Sequence, residues 1–298
     1  MKIRAGYEIS YDCAQATPMI LALSVHPSRR GDLLTPDRMR LKPSTPFNTY
    51  YDSFGNFCHV IRAPAGRITM STDFLMHDNG EPDAIAPQAE QHALEDLPVD
   101  VLSYLLGSRY CETDRLSDTA WNLFGQIPKG WPLVKAICDY AHDRITFGYQ
   151  YANPGKTAWD AYTEGRGVCR DFAHLAITLC RCMNIPARYC TGYLGDIGVP
   201  VDDAPMDFSA WFEVYLGGCW YAFDARHNER RIGRILMARG RDATDVAMVT
   251  SFGPCALASF KVITEEVRSV TLVNGPAWEV EGDRRRLSSW QGWPGGGQ

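Results

Sequence analysis

The chain has 298 residues, 35 acidic against 30 basic side chains for a net charge of −5, and 45% hydrophobic residues. That length suits about two domains of roughly 150 residues, with enough core that neither a disulfide nor a metal is needed for stability. With a pI near 5.8 and charges of both signs interspersed, no basic field collects phosphates, which argues against nucleic acid or an anionic membrane as partner.

The first ten residues carry Lys2, Arg4 and Glu8 around Ile3 and Tyr7, with no apolar run or small-residue cleavage site behind them, so no secretory leader is expected. Pro18 to Val25 is apolar for about eight residues where a bilayer span needs about 20, and reads as a buried strand. The ten cysteines are scattered and are expected as reduced thiols of a cytoplasmic protein. From Ile3 to Phe74, segments such as Tyr7 to Tyr11, Met19 to Val25, Asn56 to Ile61 and Arg67 to Thr72 predict an antiparallel β domain. Asp78 to Asp96 is acidic and contains Gly80, Pro82 and Pro87, which marks a linker. The expected division is a β-rich domain with its linker over 1–98, a second domain over 99–270 and an extension over 271–298. In that extension, Arg284 to Gln298 has no pattern and is expected to be mobile.

Val99 to Leu106, Leu116 to Gln126 and Leu133 to Ile145 carry apolar residues at helical spacing. Val168 to Met183 is the clearest helix, with only Arg170, His174, Thr178 and Arg181 forming a polar stripe, so it should be mostly buried. Strands follow at Ala187 to Tyr193, Phe208 to Leu216 and Trp220 to Asp224.

Two glycines, Gly165 and Gly167, precede Cys169 at the first turn of that helix. Free amides and the positive end of the helix dipole favour a thiolate there, although a small buried cysteine is the plainer alternative. If Gly217-Gly218 is a two-residue turn, Leu216 faces Cys219, Trp211 faces Asp224 and Ser209 faces Arg226. Alternation then sends Ala210, Phe212, Val214 and Leu216 to the core and places Ser209 diagonal to Asp224, roughly 7 to 8 Å away at the Cα level.

Gly167-Val168-Cys169-Arg170-Asp171-Phe172-Ala173-His174, Ile185-Pro186-Ala187-Arg188-Tyr189, Thr191-Gly192-Tyr193, Ala210-Trp211-Phe212-Glu213-Val214-Tyr215 and Phe223-Asp224, in that order, resemble the transglutaminase-like superfamily. Gly240-Arg241-Asp242 with Asp245-Val246 fits its bacterial branch, as does the β-rich start. The resemblance implies an α+β fold: a papain-like transglutaminase core, with a helix bundle packed on an antiparallel sheet, preceded by a β-rich N-terminal domain. It also implies a Cys-His-Asp triad, with Cys169 as nucleophile and Asp224 as orienting acid. The family pattern has histidine immediately before the Ala-Trp pair, and this chain has Ser209 there. Neutral serine cannot accept the thiol proton near pH 7.

A substitute base is sought among the remaining histidines. His227 lies three residues past Asp224, where alternation sends it to the opposite face unless the strand stops and the chain turns back. His174 is five residues after Cys169, about 140° around the helix, and fits a local pair with Asp171 better. His26, His59, His77, His92 and His142 lie in the other domain, in the linker or on an amphipathic helix. An oxyanion needs donors, for which the Cys169 amide and the segment Phe147-Gly148-Tyr149-Gln150-Tyr151 are candidates. Tyr149, Trp159 and Trp211 are candidate walls of a substrate groove. No Cys-x-x-Cys, His-Glu-x-x-His or glycine-rich nucleotide loop occurs, so no metal and no cofactor is expected.

The expected function is a thiol enzyme acting on peptide or protein amide bonds through a thioester. Peptidase, amidase or deamidase chemistry is favoured over cross-linking. The alternatives are a degenerate domain that uses the old cleft to bind a peptide or protein, and a redox-responsive thiol at Cys169.

Overall fold

Ile3, Ala5, Tyr7 and Ile9 alternate along the sequence, and in the computed structural model all four are buried on one face of β1 (Lys2–Cys13). The structure describes residues 1–201, 206–267, 269–272 and 278–281. The tail 284–298 that was expected to be mobile lies outside the described residues. After β1 come β2 (Thr17–Leu21), β3 (Arg40–Lys42), β4 (Phe47–Tyr51), β5 (Phe57–Ala63) and β6 (Gly66–His77). β1 and β6 pair antiparallel from Lys2 opposite His77 to Cys13 opposite Gly66.

The linker crosses the second domain without regular structure until a short 3-10 turn at Leu94–Asp96. Gln91 Nε2 donates to the Met183 carbonyl at 2.9 Å, and Gly217 N–H donates to the Glu90 carbonyl at 2.9 Å. The second domain contains α1 (Thr113–Phe124), α2 (Trp131–Arg144), β7 (Thr146–Phe147), α3 (Ala158–Glu164), β8 (Arg166–Gly167) and α4 (Cys169–Cys182). It continues with β9 (Ala187–Tyr193), β10 (Ser209–Leu216), β11 (Cys219–Phe223) and β12 (Ile235–Gly240). Its sheet has the order β11-β10-β9-β12. The hairpin has the register expected from its turn, with Leu216 opposite Cys219 and Phe212 opposite Phe223. Ala210, Phe212, Val214 and Leu216 share one core with Phe172, Leu175 and Leu179 of α4. This is the α+β architecture of helices on an antiparallel sheet behind a β-rich start.

α4 is buried more completely than its polar stripe suggests, because His174, Thr178 and Arg181 are all at or below 3% exposure. Each finds a partner inside: Thr178 Oγ1 donates to the His174 carbonyl at 2.7 Å, and Arg181 Nη2 donates to the Ala187 carbonyl at 2.8 Å.

The last strands are β13 (Val249–Ser251), β14 (Cys255–Glu266), β15 (Ser269–Leu272) and β16 (Trp278–Glu281). β13 and β14, expected with the second domain, return to the first. The two sheets of that domain have the orders β14-β1-β6-β3 and β13-β2-β5-β4. They pack through Ile3, Ile9, Met19, Leu21, Ile61 and Ile68 in a core that also takes Tyr193 and Phe208 of the second domain. β14 runs beside β1 with Cys255 opposite Cys13. These two, expected as reduced thiols, are joined in a disulfide because the register sets them side by side.

Candidate active site

α3 ends at Gly165, whose φ of 63° is a left-handed conformation that glycine adopts without strain. The chain then passes through β8, which pairs in parallel with β7, Phe147 beside Gly167. Cys169 follows as the first residue of α4. Asp171 closes the helix start, its Oδ2 accepting the Val168 N–H at 2.9 Å. A Cβ on Gly167 would stand 2.5 Å from that same Oδ2. Gly167→Ala is therefore expected to dislodge the cap, with a loss of ~1–2 kcal/mol in urea denaturation and a fall in Cys169 reactivity.

β11 stops at Phe223, the partner of Phe212, so on that side the edge of β10 beyond Phe212 has no paired neighbour among the described residues. There the Ala210 backbone N–H acts to favour the Cys169 thiolate. The partly buried Cys169 is not the low-pKa thiol expected at a helix start. Burial pushes it up to about 11, Asp207 adds to the rise, and Arg226 and the Ala210 N–H offset part of it. Asp207, just ahead of β10, is itself raised by burial to about 6 against the pull of the Phe208 N–H and of Arg226. Arg226 lies over the Phe147 ring, its guanidinium carbon 3.9 Å from the centroid. The Cys169 thiol is thus raised by a carboxylate and lowered by a guanidinium and a strand amide.

Asp224, 4% exposed, organises the turn behind this group. Its Oδ1 accepts the N–H groups of Arg226 and His227, both at 3.1 Å. Its Oδ2 accepts His227 Nδ1 at 2.9 Å and Arg234 Nη2 at 3.0 Å. Burial alone would raise this carboxyl, but Arg234 and His227 hold it well below the usual range. Arg234 is held in turn by Asp83 of the linker, Nε to Oδ2 at 2.9 Å.

Alternation would have sent His227 to the far face. The strand ends one residue before Asp224, and the turn folds His227 back onto that carboxylate. Ser209 begins β10 opposite Gly192. Arg234 bridges Trp211, lying 5.2 Å over its ring, to Asp224, whereas the expected pairs Trp211 with Asp224 and Ser209 with Arg226 lie beyond the end of the hairpin ladder.

His174 does not pair with Asp171. Its Nε2 accepts the Ala243 N–H at 3.1 Å and its ring stacks on Tyr110 at 5.1 Å. Burial and the nearby Arg170 lower it to about 3, leaving a neutral ring engaged in packing. Trp211, 2% exposed, packs with Cys190 and Leu236 on the face away from α4 and offers no groove wall. Trp159 lies between Tyr162 and Arg115, whose guanidinium carbon is 4.3 Å over its ring. Tyr149 lies against Phe147 at 5.2 Å, and Gly148 N–H donates to the Gly167 carbonyl at 3.0 Å, so the 147–149 segment does border the turn carrying Cys169. Asp207, Arg226, Arg234 and Asp83 were not singled out from the sequence. The placement of Arg226 opposite Ser209 was the one signal that could have found a member of this group.

Residues 125–225 match the transglutaminase-like superfamily. A candidate cysteine protease of Cytophaga hutchinsonii, of solved structure, is 30% identical over 89% of this chain and 90% of that one, with a TM-score of 0.76. An uncharacterized protein of Mycobacterium leprae is 39% identical over 120 residues, 38% of this chain and 42% of that protein. One of Mycobacterium tuberculosis is 31% identical over 128 residues, 39% of this chain and 40% of that protein. This chain therefore spans less than half the length of the curated relatives it matches. The helix-start cysteine, the sheet behind it and a structural likeness that runs the length of both chains lead to one assignment: the chain belongs to the transglutaminase-like superfamily, a superfamily of thiol enzymes.

Proposed function

We propose that the protein is a cysteine acyltransferase or amide hydrolase in which Asp207 and Arg226 stand in for the histidine replaced by Ser209. What supports this reading is the place of Cys169 as first residue of α4, with Asp207 just ahead of β10 and Arg226 on the turn held by Asp224. The effects of these two charges on the thiol oppose each other. A carboxylate raised to about 6 is ionised at pH 7 yet basic enough to share a proton, the condition for general base catalysis. As the Cys169 sulfur attacks a peptide or carboxamide carbonyl, its proton passes to Asp207 and Arg226 steadies the developing sulfur anion. The tetrahedral adduct then collapses with cleavage of the C–N bond. Asp207 returns the proton to the leaving amine, and a thioester remains on Cys169. Water, deprotonated by the same carboxylate, releases the acid and restores the thiol. Peptidase, amidase and deamidase reactions share these steps. The Asp224 turn positions Arg226 for them.

The test is acylation by p-nitrophenyl acetate, followed by intact and peptide mass spectrometry across pH. One acetyl group is expected on Cys169, with a rate rising through a midpoint near pH 6 as Asp207 ionises. Alkylation by iodoacetamide, which needs only the thiolate, should rise several pH units higher, toward about 11. If Cys169 takes no acyl group at any pH, the reading fails. The raised thiol and Ser209 would then favour a cleft that only binds a peptide or protein.

A further inference from the structure

The sheet face turned away from α4 carries a polar cluster that acyl transfer does not use. Arg239 of β12 lies opposite Cys190 of β9. Arg188, two residues from Cys190, shares its face and lies opposite Glu213. The first domain closes over both: His26 N–H donates to the Leu236 carbonyl at 2.9 Å. Asn56 takes both backbone groups of Arg239, its Nδ2 donating to the carbonyl at 2.8 Å and its Oδ1 accepting the N–H at 2.9 Å. Arg188 is engaged, with Nε 2.6 Å from Glu213 Oε2 and the guanidinium carbon 3.9 Å over the Trp220 ring. At the rim, exposed Arg30 lies 4.3 Å over Phe57.

Two buried donors in this seam have no acceptor among the described residues. His26 is 3% exposed, and its Nδ1 accepts the Ser28 N–H at 3.1 Å, so a neutral ring must carry its proton on Nε2. Burial, then the fields of Arg239, Arg188 and Arg30, lower its pKa to about 4 and keep it neutral. Its Nε2–H is therefore a buried donor, and among the described residues it has no acceptor. The Nε–H of Arg239 is buried and unmatched in the same way. Native interiors seldom leave such groups unpaired. Glu213, the carboxylate facing these arginines, is already taken by Arg188.

We propose that this seam between the domains is a binding site for an oxyanion, a carboxylate or phosphate group, received by Arg239 Nε–H and His26 Nε2–H with Arg30 at its entrance. A carboxylate or phosphate oxygen satisfies such N–H donors, and a guanidinium donor gives it the charge-assisted bonds by which proteins hold these ligands. The site lies across the sheet from the α4 face, so it stands or falls independently of Cys169 chemistry.

The test uses the full chain at constant ionic strength, with sodium chloride as reference and inorganic phosphate or acetate as titrant. Histidine side-chain NMR should show a saturable downfield shift of the His26 Nε2–H. Calorimetry should give the same midpoint, and Arg239→Gln should weaken binding at least tenfold, whereas Arg67→Gln on the remote β6 should leave it unchanged. Tighter binding of phosphate points to a phosphate-bearing ligand. Tighter binding of acetate, reproduced by a peptide with a free C-terminus and not by its amide, points to a carboxylate. If neither anion moves the His26 resonance in the unmodified protein, the proposal is overturned whether or not Arg239→Gln folds. Undiminished binding by a folded Arg239→Gln overturns it too.

Discussion

Cys169→Ala is expected to reduce acyl transfer to background, a loss on the order of 10⁴-fold or more, as for other covalent nucleophiles. Stability should change by less than about 1 kcal/mol, because the substitution removes a single sulfur from a partly exposed position. Asp207→Asn is its graded counterpart. It keeps the shape and removes the charge, so acylation should fall by roughly 10²–10³-fold, the range of a lost general base. Alkylation by iodoacetamide should speed up in the same variant, because the Asp207 charge is one of the causes holding the Cys169 thiol high. A carboxylate with a purely structural role would not move the two rates in opposite directions. Parallel pH–rate profiles of both reactions check this, and the limb near pH 6 should vanish with the carboxylate. Equal rates for wild type and Cys169→Ala would sink the thiol mechanism.

Arg234→Met is expected to destabilise the protein by ~3–5 kcal/mol, the range seen when one partner of a buried ion pair is removed. Asp224, whose side chain is 1% exposed, and Asp83 both direct carboxylate oxygens at Arg234, so the variant confines two negative groups without their shared cation. The pH dependence follows from the direction of the Asp224 shift. A carboxyl held below its unfolded value contributes stability that is fully present above about pH 4 and is lost as pH falls toward the folded value. The difference between wild type and Arg234→Met should therefore be largest at neutral pH and shrink on acidification below about pH 4. Urea denaturation at pH 7 and pH 3 measures it. The same variant should lose part of its acylation rate, because the turn that presents Arg226 hangs from the Asp224 oxygens.

What the sequence made legible was what repeats locally. The period of α4 and the glycine pair at 217–218 placed Cys169 in the first turn of the helix and set the hairpin register from Leu216 opposite Cys219 as far as Phe212 opposite Phe223. The position of His227 could not be read, because alternation holds only while a strand lasts and β11 ends at Phe223. The hold of Asp83 on Arg234 spans 151 residues and leaves no periodic trace in either segment. Of the two readings of Cys169 that the sequence leaves open, the helix start is visible in sequence, whereas the burial and the Asp207 charge that raise the thiol arise only when β10 is folded alongside. Trp211 was correctly placed opposite the apolar face. Its offer as a groove wall failed because the first domain and β12 cover that face.

The pairing of β14 with β1, Ile3 opposite Glu266 and Cys13 opposite Cys255, has a consequence for how the chain is made. During synthesis the ribosome releases β1 first and β14 last among the strands of its sheet. Until residue 266 emerges, one edge of β1 has no native partner, and contacts separated so far along the chain form late. The first domain, although N-terminal, thus cannot finish folding ahead of the second. The nascent chain carries an unpaired strand edge through most of translation, a stage at which edge-to-edge association and chaperone capture are favoured.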